Sequence, residues 1–201
     1  MSKSVQDIMS MIQENGIQMV DFKMVDINGQ FRHVTIPAAD FNEEIMREGV
    51  GFDASNYGYA VVEKSDMVFI PDPDTAVIDP FCQVPTLSMT GNAMIIDYPA
   101  NRPLAQYPRN IVLAAEAYMK DSGIADTMLI LPEFEFYLFN QVGWEVQPFS
   151  IGMNLDYDQS YWNSGIQGQG VVVPKQKNYH IAKPFDPTYE CRSEMCLLME
   201  E

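Results

Sequence analysis

Met19-Val20-Asp21-Phe22-Lys23-Met24-Val25, then Asp26-Ile27-Asn28-Gly29, then Phe31-Arg32-His33-Val34-Thr35-Ile36 is the stretch that decides the fold. Two β-prone runs separated by Asn-Gly predict a hairpin. On its N-terminal side, Val5, Ile8, Met9, Met11 and Ile12 recur at roughly helical spacing over residues 5–15, and Gly16 stops that helix. On its C-terminal side, Asp40-Phe41-Asn42-Glu43-Glu44 opens a short helix with acidic residues in the first turn, as the helix dipole favours, ending near Gly49. Residues 66–71 and 75–79 are short apolar runs bounded by Pro and Asp, and Ser88–Asp97 alternates. These predict three further strands and a compact α+β unit over residues 1–103.

The segment Tyr98-Pro99-Ala100-Asn101-Arg102-Pro103 predicts a domain boundary, and a second domain over 104–201. Pro108–Ser122 predicts a helix with Ile111, Val112, Ala115 and Tyr118 facing inward and Gly123 at its end. Thr127–Phe139 predicts a long strand. Residues 140–178 are rich in Gly, Asn, Gln and Ser and predict an ordered excursion or a flap. Pro187–Glu201 predicts a last helix. One strand cannot make a sheet, so this second part reads as unfinished.

With 201 residues, 47% of them hydrophobic, the chain can bury one core or two small ones. No stretch has the apolar length of a spanning helix, and Met1-Ser2-Lys3-Ser4 leads into no signal-peptide block, so a cytoplasmic protein is expected. Twelve basic residues against 28 acidic ones give a net charge of −16. That charge argues against nucleic acid and anionic membranes as partners, and permits divalent cations and cationic substrates. Cys82, Cys191 and Cys196 form no C-x-x-C pair, and reduced thiols are the simple reading. His33 and His180 are the only histidines, so any metal site must lean on carboxylates.

Leu131-Pro132-Glu133-Phe134-Glu135-Phe136 carries the most chemistry. On a strand, Glu133 and Glu135 share a face at roughly 7 Å. Buried together they repel unless a cation sits between them, and hard ions such as Mg²⁺ or Mn²⁺ suit such ligands. The alternative is the solvent side of a half-exposed strand. Gly51-Phe52-Asp53-Ala54-Ser55-Asn56 is a polar loop that either holds a small cation or forms an Asx-type turn around Asp53. Asp66, Asp72, Asp74 and Asp79 punctuate strand ends. His33 and His180 read as structural. P-loop, G-x-S-x-G and G-x-G-x-x-G motifs are absent from the sequence.

Taken in order, several motifs together resemble type I glutamine synthetase. They are His33-Val34-Thr35-Ile36-Pro37-Ala38, Gly51-Phe52-Asp53-Ala54-Ser55, Ser65-Asp66-Met67, Pro71-Asp72, Ala76-Val77-Ile78-Asp79-Pro80-Phe81, Pro132-Glu133-Phe134-Glu135-Phe136, Lys177-Asn178-Tyr179 and Arg192-Ser193-Glu194-Met195-Cys196-Leu197. The resemblance implies a β-grasp N-terminal domain followed by an incomplete catalytic domain of antiparallel sheet and helices. It implies ATP-dependent ligation of ammonia to the γ-carboxylate of glutamate through γ-glutamyl phosphate, with Mg²⁺ or Mn²⁺ as cofactors. Glu133 and Glu135 match the family's paired metal-binding glutamates. Asp53 matches the loop aspartate that binds ammonium and takes its proton across a subunit interface. Asp66 matches an acidic residue of the same region, and Asn56 and Tyr179 fall at the ammonium site.

The sequence departs from the family at Ala54, Asn56, Leu131, Asn178 and His180, which leaves another amine open as the substrate. The family's remaining metal glutamates, nucleotide site and phosphate-binding arginines have no counterpart in these 201 residues. The chain therefore reads as truncated and inactive alone. A regulatory module that joins full-length synthetase subunits, self-association, and one half of a split enzyme are the other readings.

Overall fold

The structure is a computed structural model that describes residues 2–157, 159, 160, 173 and 175–200. Its contacts divide the chain into two units, Met1–Leu129 and Ile130–Glu201.

In the first unit, helix α1 (Val5–Glu14) begins on a capping box. The Ser4 hydroxyl accepts from the Asp7 amide at 3.2 Å, and the Asp7 carboxylate accepts from the Ser4 amide at 2.7 Å. Two otherwise orphaned donors are satisfied reciprocally. Strands β1 (Met19–Val25) and β2 (Phe31–Pro37) pair antiparallel from Met19 opposite Pro37 to Val25 opposite Phe31. The hairpin turn is fixed by Asp26, which is almost fully buried. Its carboxylate accepts from the amides of Asn28 and Gln30 and from the Arg32 guanidinium at 2.9, 3.0 and 2.9 Å. Gly29 supplies the left-handed residue at φ +82°.

Helix α2 (Glu43–Glu48) is capped by Asn42, whose side chain accepts from the Ile45 amide, and it ends at Gly49 with φ +84°. Then follow β3 (Val50–Asp53), β4 (Asp66–Pro71), β5 (Val77–Ile78), β6 (Thr86–Met89), β7 (Gly91–Ile95) and β8 (Arg102–Pro103). They form two four-stranded sheets, β2-β1-β6-β5 and β3-β4-β7-β8. The β1–β6 pair is parallel and the other pairs are antiparallel. The strand expected over Ser88–Asp97 is two strands, one in each sheet. The break is at Thr90, whose carbonyl accepts from the Asp72 amide and the Thr75 hydroxyl, while its own amide donates to Thr75. Those bonds replace ladder bonds, and the chain changes sheets there.

Alternation places Val20, Phe22, Met24, Leu87 and Met89 in the main core with Ile8, Phe41, Met46 and Phe69. Phe22 and Phe69, one from each sheet, are fully buried with ring centroids 6.3 Å apart. A smaller cluster gathers Ala54, Met67, Ala93, Leu104 and Tyr107.

Helix α3 (Pro108–Asp121) packs with this unit through its first turn, although the sequence boundary at 103/104 falls before it. Arg109 donates to Asn92 at 3.0 Å and pairs with Asp72. The Asn110 amide donates to the carbonyls of Ala93 and Leu104 at 2.7 and 2.9 Å. The inward face expected of Ile111, Val112, Ala115 and Tyr118 is not buried; Tyr118 is 74% exposed. The amphipathic spacing is there, but nothing in this unit covers it.

The second unit departs further from expectation. Thr127–Phe139 forms no strand, because among the described residues no segment pairs with it. Local β-propensity makes no ladder without a partner. The expected excursion begins as a hairpin of β9 (Gln141–Gln147) and β10 (Ser150–Asp156), and its residues 161–172 lie outside the described ones. Helix α4 (Tyr189–Glu200) follows the Asp186-Pro187-Thr188 turn, with the Arg192 amide donating to the Thr188 carbonyl. Among the described residues no helix is long and apolar enough to cross a membrane.

Gly49 and Gly29 share a positive φ but differ in surroundings. A Cβ on Gly49 would lie 2.4 Å from the Phe69 carbonyl oxygen, whereas nothing lies within 4 Å of one on Gly29. Gly29→Ala is expected to cost about 1–2 kcal/mol for the left-handed residue alone. Gly49→Ala is expected to cost distinctly more, because the β4 backbone must move. Urea unfolding of both variants checks this order.

Candidate functional site

Antiparallel register sets Asp53, the last residue of β3, directly opposite Asp66, the first of β4. Like charges opposite one another destabilise a ladder, so this placement is tolerated because both side chains are exposed at its end. Asp53 then closes an Asx turn. Its carboxylate accepts from the Ser55 amide at 2.9 Å and caps the 3₁₀ turn Ala54–Tyr57. The Ala54 amide donates to the Ser65 carbonyl at 2.8 Å, tying the turn to the start of β4. Asn56 is exposed on this turn, and Tyr57 packs edge-on against Phe52 at 5.1 Å. Hydrogen bonds from the Ser55 hydroxyl and amide, and from the Ser65 hydroxyl, hold the Asp53 carboxyl below its usual range. It is an anion at neutral pH.

The turn and the acidic pair are thus one feature: the hydrogen bonds that make the Asx turn also hold the Asp53 carboxyl below its usual range. The site presents two carboxylates and an amide side chain to solvent, which is chemistry suited to a small cation.

The second unit holds the other expected residues. Glu133 and Glu135 are exposed on a segment without ladder partners, so the largely buried strand expected for them does not form. Glu135 lines an open cleft of about 1210 Å³ with Tyr179, His180, Lys175, Asp186 and Arg192, and Glu133 is not among the lining residues. Tyr179 stacks on His180 at 4.0 Å between ring centroids, and the backbone of His180 is left-handed at φ 54°. The structure thus brings Glu135 and Tyr179 to one cleft, and Asp53, Asp66 and Asn56 to one loop of the other unit. Among the described residues, no three His, Cys, Asp or Glu side chains come together to hold a metal ion. Two exposed carboxylates are ligands of the right chemistry, yet they fall well short of the six or so oxygens that Mg²⁺ takes.

His33 is structural, as read: its Nδ1 lies 2.7 Å from the buried Asp21 carboxylate, which also accepts from Thr35 at 2.5 Å. Asp186 was not legible as a site residue. It is buried at the mouth of α4, where its carboxylate accepts from the Thr188 amide and hydroxyl, both at 3.1 Å, and pairs with Arg192. The signal available was an Asp-Pro turn opening a helix with an Arg in its first turn.

The comparisons with known proteins divide the chain earlier, between residues 95 and 105, so α3 falls with the second family model although it packs with the first unit. Residues 16–95 match the family model described as glutamine synthetase, beta-Grasp domain, and residues 105–201 match glutamine synthetase, catalytic domain. A protein named 3-hydroxylaminophenol mutase from Cupriavidus pinatubonensis is 35% identical over 205 residues, which cover 100% of this chain and 43% of that one. The glutamine synthetases of Vibrio cholerae and Escherichia coli are 35% and 36% identical over 203 residues, covering 98% of this chain and 43% of each relative. The chain thus spans less than half the length of the curated relatives it matches. The cryo-EM structure of Plasmodium falciparum glutamine synthetase shares the fold, with a TM-score of 0.78 at 17% identity over 100% of this chain and 40% of that one.

Arg192 holds the Asp186 carboxyl down at about 2, with the Thr188 bonds adding to the effect. A depressed carboxyl stabilises the fold above its unfolded value of 3.8 and loses that contribution as pH falls towards 2. Asp186→Asn is therefore expected to melt below the parent chain at pH 5 to 7, and the gap should close between pH 4 and 2. Thermal melts followed at the helix band across that range test it. The two family models together take in nearly the whole sequence in the expected order, and the chain belongs to the glutamine synthetase family.

Proposed function

We propose that this chain supplies the β-grasp domain and the opening of the catalytic domain of an ATP-dependent glutamate–ammonia ligase. The observation that carries the reading is the Asp53–Asp66 loop, formed within the unit that matches the family's β-grasp model. In the proposed reaction glutamate is activated as γ-glutamyl phosphate and ammonia attacks it. Ammonium must lose a proton before it is a nucleophile. Asp53 and Asp66 attract and hold that cation. A carboxyl kept below its usual range is a weak base, so Asp53 serves first as a counter-ion, and the proton leaves most readily to water or to a more basic group.

Glu133 and Glu135 would contribute oxygen ligands to Mg²⁺ or Mn²⁺, which offset charge on transferring phosphate when bound. The described residues leave such an ion under-coordinated, so ATP-dependent chemistry needs further ligands beyond them. Assembly with other synthetase subunits and a cytoplasmic location belong to this proposal. Asn56 stands where the family's ammonium site has a serine, which supports an amine other than ammonia as the variant of this reading. A second reading, a non-catalytic module that joins full-length subunits, is favoured by the Asp53 loop being complete without the second unit.

The test is γ-glutamyl hydroxamate formation from glutamate, hydroxylamine, ATP and Mg²⁺. The 201-residue chain alone is expected to give none. Mixed with a polypeptide carrying the rest of the family's catalytic domain it is expected to give product, and Asp53→Ala should raise the KM for the amine more than it lowers kcat. Turnover by the chain alone would overturn the proposed division of labour. Co-elution with a full-length synthetase, without activity in the mixture, would favour the module.

A further inference from the structure

The 3₁₀ turn that follows Asp53 is four residues long, and a run of that length has poor hydrogen-bond geometry of its own. Its entry is tied to β4 by the bond from the Ala54 amide to the Ser65 carbonyl. Its exit is tied to the β1–β2 hairpin, far away in sequence. The Ile27 amide donates to the Tyr57 carbonyl at 3.0 Å. The Tyr59 hydroxyl donates to the Val25 carbonyl at 2.9 Å, and its ring lies edge-on to Tyr107 at 6.0 Å. Between these two bonds Gly58 caps the turn at φ +80°, and a Cβ there would lie 2.5 Å from Cγ2 of Ile27. The Ile27 side chain therefore rests on the Gly58 backbone. The hairpin can serve as an anchor because Asp26, buried beneath it, already binds two of its amides and Arg32.

We infer that Tyr59 and Ile27 are positioning residues for the amine site: they pin the exit of the Asp53 turn to the β1–β2 hairpin, and so set where the Asp53 carboxylate and the Asn56 side chain stand. This rests on the reading of that loop as the place where the amine is held. Neither residue touches the amine. They act through the turn's own bonds, in which the Ser55 amide donates to Asp53, the Gly58 amide to the Ser55 carbonyl and the Tyr59 amide to the Ala54 carbonyl. Released at its exit, the turn opens from the Tyr59 end, and the Ser55 amide that orients Asp53 is the last of these bonds to be lost. A carboxylate placed within a fraction of an ångström binds a small cation better than one that wanders.

Residue-resolved amide exchange of the 201-residue chain tests this. Tyr59→Phe removes the hydroxyl bond and keeps the ring on Tyr107. It should quicken exchange at Ser55, Gly58 and Tyr59 about five- to tenfold, as loss of one net hydrogen bond does, with the β1 and β6 amides unchanged. Ile27→Ala, whose side chain is 60% exposed, should act in the same direction from the other side of the contact. Ile8→Val in the main core is the control for stability: it should lower the melting temperature and leave the three loop amides as in the parent chain. In the hydroxamate assay of the mixed polypeptides, Tyr59→Phe should raise the KM for hydroxylamine about threefold or more with kcat nearly unchanged, a split that a loss of stability does not give. Loop exchange as in the parent in both variants overturns the inference, as does loop exchange that quickens only together with β1 and β6. An unchanged KM in Tyr59→Phe, where Asp53→Ala raises it, overturns it as well. If Asp53→Ala also leaves KM unchanged, the amine-site reading falls by itself, and the quickened exchange still upholds the pinning of the turn.

Discussion

The contact between Phe22 and Phe69 is the one on which the first unit depends. Each ring comes from the middle of a central strand, β1 in one sheet and β4 in the other, and neither is exposed to solvent. Two sheets that share no ladder are held by side-chain packing, and these rings are among its largest fully buried members. The consequence for function is positional. Phe69 fixes β4, β4 fixes the register of β3, and that register sets Asp53 across from Asp66. Phe69 also receives the close approach of Gly49, the end of α2. The acidic loop is therefore built on the core, and packing in the core sets where its carboxylates stand.

The second unit follows a different logic. Its best-satisfied feature is local, the Asp186–Thr188–Arg192 clamp at the start of α4. Its larger surfaces, the 130–139 segment and the hairpin face, present apolar side chains to solvent. Glu135 and Tyr179 sit in a cleft walled partly by such residues. Among the described residues, Glu133 and Glu135 are fixed by no ladder and are gathered into no group of three His, Cys, Asp or Glu side chains.

What could be read from the sequence was whatever short-range chemistry decides. Asn28-Gly29 announced the first hairpin, and Asp26 beneath it explains why that turn holds. Asn42 and Gly49 bracket α2 as capping rules require, and the Asx turn at Asp53 was one of two readings of its loop. The family followed from collinear motifs rather than from any one of them. What could not be read was non-local. Thr127–Phe139 has the composition of a strand, but a ladder needs a neighbour that residue preferences do not specify. The spacing of Ile111, Val112 and Tyr118 describes a face without saying what covers it. The split at Thr90 depends on bonds from Asp72 and Thr75, and the burial of Asp186 on a guanidinium in the following helix.

The central claim is that the first unit stands on its own core, whereas the second borrows its stability from surfaces that must be covered. Amide hydrogen exchange resolved along the dilute chain tests it most directly. The account predicts strong protection in β1, β4 and β6 and weak protection through β9 and β10. Uniformly high protection from β1 through β10 at low concentration would contradict it.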